Sequence, residues 1–103
     1  MEAALCGNLA SAVIEELGED LPDQETEWLV LECFRIEEAY YREAGEPYDL
    51  AVWLVNQLQF LRRNASAHIE EIQSKYREAA KLAQTYSMGN IIEFLQGFSR
   101  EFS

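Results

Sequence analysis

Between three short turn signals, the apolar residues of this chain recur every three or four positions, a spacing that builds amphipathic helices and not strands. The signals are Gly18-Glu19-Asp20-Leu21-Pro22, Gly45-Glu46-Pro47 and Ser87-Met88-Gly89-Asn90. A first helix is expected from about Glu2 to Leu17, with Cys6, Leu9, Val13 and Leu17 on one stripe and Leu5 and Ile14 widening it. A second opens on Asp23 as N-cap, carries Glu25 and Glu27 in its first turn, and stops near Ala44 with Gly45 as the terminating residue. Its first half, Trp28 to Phe34, is apolar nearly all round, which predicts that it forms the centre of the core.

A third helix is expected after Asp49, read as another N-cap, with Leu50, Trp53, Leu54, Leu58 and Leu61 facing inward. The stripe continues through Ile69, Ile72, Tyr76, Leu82, Ala83 and Tyr86. It runs either as one long helix or after a break between Arg62 and Ser66, and Asn64 and Ser66 tilt the reading towards a break. The last helix opens on Asn90, with Glu93 three residues on in a near capping box, and runs to Ser103. Residues 1–103 therefore read as a single all-α domain, a compact bundle of four to five helices, expected to pair as a homodimer.

Composition excludes several alternatives. A chain that is 49% hydrophobic, with five Phe, five Tyr and two Trp, is not disordered. The amino terminus has neither a basic region nor a continuous apolar stretch, and the longest apolar run is Ala51–Val55. The expectation is a cytoplasmic protein with no membrane contact. Cys6 and Cys33 sit among apolar neighbours and read as small buried hydrophobes.

The charge is lopsided. Residues 1–50 hold 14 acids and 2 bases, a net of −12, while residues 51–103 hold 5 acids and 6 bases, a net of +1. The acidic half disfavours direct DNA binding or an anionic membrane and attracts a protein with a basic surface. Glu15, Glu16, Glu19 and Asp20 close the first helix against its dipole, a broken local rule that marks them as candidate interaction residues.

The last helix carries a second candidate surface. Ile91, Leu95, Phe98 and Phe102 form a stripe that either closes the chain's own bundle or offers a seam to a partner. Carboxylates on the second helix (Glu32, Glu37, Glu38), with His68 and Glu71 further on, suggest a bundle metal site. Such sites take Glu-x-x-His, however, and here the one histidine precedes its glutamate, so no metal and no cofactor are expected.

Arg63-Asn64-Ala65-Ser66-Ala67-His68 resembles the short motif of the HEPN family of helical ribonucleases: an arginine, a polar residue after it, then a histidine a few positions on. The family often has a tyrosine two residues after the histidine, where this chain has Glu70. The resemblance implies a paired helical domain that cleaves RNA without metal, Arg63 steadying the phosphate and His68 moving the proton.

Three functional readings follow. The first is a small acidic adaptor or regulator that binds a basic protein surface, and is not an enzyme. The second is an inhibitor mimicking nucleic acid. The third is the HEPN-like ribonuclease.

Overall fold

The computed structural model describes residues 3–17 and 23–102, and the side chains of residues 9, 10, 12–17 and 23–101. Among them there are five α-helices and no strand: α1 (Ala3–Leu17), α2 (Gln24–Ala44), α3 (Pro47–Leu61), α4 (Ile69–Thr85) and α5 (Gly89–Phe102). The expected break after Leu61 is present as a 3-10 turn, Arg62–Ala67, kinked at Asn64 (φ −137°, ψ 60°).

Local chemistry accounts for the helix ends. Asp23 caps α2 by accepting a hydrogen bond from the Thr26 amide at 2.7 Å, and Glu25 and Glu27 follow in the first turn. The Thr26 amide holds the Asp23 carboxyl below its usual range. Two expected caps are corrected. The third helix begins at Pro47, whose ring presets the first helical φ, so Asp49 lies inside the first turn. The last helix begins at Gly89, and the Asn90 side chain donates instead to the Tyr48 hydroxyl at 3.3 Å.

The centre of the core is α3, not the first half of α2. One apolar cluster joins Leu54, Leu58 and Leu61 of α3 to Ile72, Ala79 and Ala83 of α4 and to Ile91, Leu95 and Phe98 of α5. A second joins α3 to α2 and α1 through Phe60, Phe34, Val30, Cys33 and Ala10, with Leu9, Val13, Ile14 and Leu17 packed against it. In that cluster the Phe34 ring meets Trp53 at 5.8 Å and Phe60 at 5.9 Å. Because α3 serves both clusters it is covered on nearly every side. On α2, by contrast, Trp28 is turned outward and 66% exposed.

Side-chain pairs fix how the helices run. Glu27 bonds His68, and Arg42 bonds Glu78, so α2 and α4 run parallel and α3 runs against both beneath them. Arg62 at the end of α3 meets Glu101 near the end of α5 at 3.1 Å, which sets α5 parallel to α3. The smallest dimension of the fold, 21 Å, corresponds to about two helix diameters. One end therefore collects the α2–α3 and α4–α5 turns, and the other collects the 3-10 turn and the start of α2. No helix among the described residues is long and apolar enough to cross a membrane.

Candidate functional site

The α2–α3 turn is built to put polar groups in water. Gly45 adopts a left-handed conformation (φ 70°, ψ 35°), its amide bonds the Arg42 carbonyl at 3.3 Å, and the Glu46 amide reaches back to the Tyr41 carbonyl at 3.0 Å. Pro47 then starts α3 at once, leaving Glu43, Glu46, Tyr48 and Asp49 exposed. The Asn90–Tyr48 hydrogen bond ties this turn to the start of α5. Next to it, α4 ends at Thr85 with Tyr86 as its cap, and Ser87 takes a left-handed φ of 55° before Met88 drops into the core.

Three tyrosines stand out at this end: Tyr40, Tyr48 and Tyr86 are 55%, 52% and 56% exposed. Tyr40 is fixed edge-on against Tyr41, 5.1 Å between ring centres, while Tyr41 packs on the first core cluster. Beside them Glu43, Glu46 and Asp49 are exposed and form no ion pair among the described residues. Exposed aromatic rings thus border carboxylates that no base among the described residues pairs with.

Further along the gap between α2 and α4 the charges are matched. Glu38 accepts from Lys75 at 2.5 Å, Gln57 at 2.9 Å and Arg42 at 3.0 Å, and Arg42 in turn holds Glu78 at 2.5 and 3.1 Å. Burial would push the Glu38 carboxyl up. The hydrogen bonds from Lys75, Gln57 and Arg42, and the Lys75 charge, outweigh it and hold the group below the usual range. The Arg42 guanidinium is raised by Glu78, and Arg35 holds Glu32 down. Of the α2 carboxylates, Glu32 and Glu38 are thus bonded to bases, and Glu37 is buried.

The residues singled out from the sequence scatter across the fold. Glu15 and Glu16 are exposed at the end of α1, and Glu15 borders a hollow of about 250 Å³ over Trp53 and Phe60. Glu19 and Asp20 lie outside the described residues, as does the Phe102 side chain. Ile91, Leu95 and Phe98 are buried in the chain's own core, where Phe98 stacks on Tyr76 at 6.2 Å and the Tyr76 hydroxyl donates to the Leu95 carbonyl.

Arg63 and His68 flank the 3-10 turn but have different neighbours. The Arg63 guanidinium lies 5.5 Å over the Phe60 ring, with Nη1 enclosed and without a hydrogen-bond partner. His68 Nε2 is bonded to the Glu27 carboxylate of α2. A cation–π contact for one and a cross-helix pair for the other are what the geometry provides.

The three exposed tyrosines and the acids around them were not marked by the sequence pattern, which reads Tyr86 as part of the inward stripe. Their signal was position: each lies within five residues of a turn residue (Gly45 or Gly89). No protein-family model, no curated protein and no solved structure matches this chain.

Proposed function

We propose that this chain is a protein-interaction module, an adaptor or regulator that docks a basic surface of another protein on the end formed by the α2–α3 and α4–α5 turns. One observation carries this reading: Tyr40, Tyr48 and Tyr86 stand exposed beside Glu43, Glu46 and Asp49, carboxylates without a basic partner among the described residues. Tyrosine rings give large contact areas at low entropic cost and accept arginine and lysine on their faces. Uncompensated acids steer a basic partner in and suppress acidic ones. Glu15 and Glu16 form a separate exposed acidic pair near the end of α1.

The experiment is a calorimetric titration of the whole chain with an arginine-rich peptide. Binding weakens strongly between about 0.1 M and about 1 M salt, as the screening length falls from about 10 Å to about 3 Å. It is lost in Glu43→Gln/Glu46→Gln/Asp49→Asn. Affinity indifferent to both salt and that variant would refute the reading.

A nucleic-acid mimic is a narrower form of the same proposal, with the basic groove of a nucleic-acid enzyme as the partner. The ribonuclease proposal instead requires cleavage of single-stranded RNA in EDTA that His68→Ala abolishes. The Glu27 and Phe60 contacts of His68 and Arg63 favour a structural role for both. Ile91, Leu95 and Phe98 are buried within one chain, so a homodimer would pair through other residues.

A further inference from the structure

Bases are scarce in this chain, 8 against 19 acids, so a base left without an acid is informative. Arg35, Arg42, Arg62 and Lys75 each hold a carboxylate. Arg77 and Lys81 are exposed and hold none among the described residues. They stand four apart on α4, hence on one face of it. The nearest acid in sequence, Glu78, is already bonded to Arg42.

Both bases border grooves. One, of about 410 Å³, runs between α4 and α5 over Ile69, Ile72, Tyr76 and Phe98, with Arg77 on its rim. A second, of about 490 Å³, continues past Arg77 and Lys81 to Leu82 and Tyr86. Ile69 at one end and Tyr86 at the other are 43% and 56% exposed. The path from Ile69 to Tyr86 follows the whole of α4, about 25 Å at 1.5 Å per residue.

We propose that this groove is a second docking surface, of opposite sign to the first, which receives an acidic amphipathic helix of another protein. Apolar side chains of that helix would sit over Ile69, Ile72 and Tyr76, and its carboxylates would meet Arg77 and Lys81. Charge complementarity selects an acidic occupant. The occupant comes from another protein because, among the described residues, this chain's own apolar stripes are already engaged: Leu9, Val13, Ile14 and Leu17 of α1 lie on the second cluster, and Ile91, Leu95 and Phe98 of α5 on the first. Tyr86 borders both surfaces, but the inference rests on Arg77, Lys81 and the apolar floor and not on the reading of the tyrosine-bearing end; together the two surfaces would let one chain connect an acidic and a basic partner.

The test uses the full chain, labelled with nitrogen-15, and two synthetic peptides about as long as α4. Both carry one leucine stripe, flanked by glutamates in one peptide and by lysines in the other. The glutamate peptide shifts amide signals along Ile69–Tyr86 and α5, and Arg77→Glu/Lys81→Glu weakens its binding about tenfold or more. Arg77→Gln/Lys81→Gln, which adds no acid, gives a smaller loss in the same direction. The proposal is overturned if the glutamate peptide shifts no signal in the groove, or binds the charge-reversed variant equally well. It is also overturned if light scattering shows salt-sensitive oligomers that the charge reversal dissolves, since the occupant would then be a second copy.

Discussion

Arg42 of α2 grips Glu78 of α4 through both carboxylate oxygens, at 2.5 and 3.1 Å, and shares its other contact with Glu38. This pair closes the gap between two parallel helices whose backbones are held apart by α3. Glu38 is the more critical member, because it also satisfies Lys75 and the buried Gln57. Replacing it by alanine strands both and is expected to cost about 2 kcal/mol in chemical denaturation.

The same network sets a pH dependence. The folded Glu38 carboxyl lies below its unfolded value, so its contribution is complete above the ordinary carboxylate range. It is lost as the pH falls through the folded value. Glu38→Gln should therefore be less stable than the parent chain at neutral pH, and the difference should close in acid. A difference that persists or grows in acid would show that the network around Glu38 does not act through the charged carboxylate.

The terminal helix is part of the core. Phe98 and Leu95 are buried against α3 and α4, so Phe98→Ala should destabilise the chain by about 3 kcal/mol and leave its mass in solution unchanged. Loss of a dimer without loss of monomer stability would instead make this helix an interface.

The α2–α3 turn depends on one backbone conformation. Gly45 sits at φ 70° with open space where a side chain would begin, so no clash is expected from substitution. Gly45→Ala should still cost about 1 kcal/mol, the price of a left-handed alanine, and Gly45→Asn less. Thermal denaturation of both variants checks the order.

Much of this fold is legible from the residues, and the reasons for the remainder are physical. Asp23 and Gly45 act through bonds to neighbours three or four residues away, so the sequence displays the ends of α2 directly. The break at Asn64 is local in the same sense. What periodicity does not reveal is which helix is surrounded. Trp28–Phe34 is more apolar than its burial requires, yet α3 takes the centre because it is flanked on both sides by other helices. Stripe ends are equally hidden: Ile69 and Tyr86 match the inward pattern, but they stand at the two ends of α4 and are largely exposed. Pairings such as His68 with Glu27, 41 positions apart, depend on the parallel arrangement of α2 and α4, which no local pattern encodes.

Where a basic ligand binds decides whether the tyrosine-bearing end is a docking surface. Amide signals of the whole chain, followed while an arginine-rich peptide is added, should shift around Tyr40, Glu43, Glu46, Tyr48, Asp49 and Tyr86, and Tyr48→Ala/Tyr86→Ala should weaken the binding about tenfold. Shifts confined to the end of α1 around Glu15 and Glu16, or binding unchanged in the tyrosine variant, would contradict it.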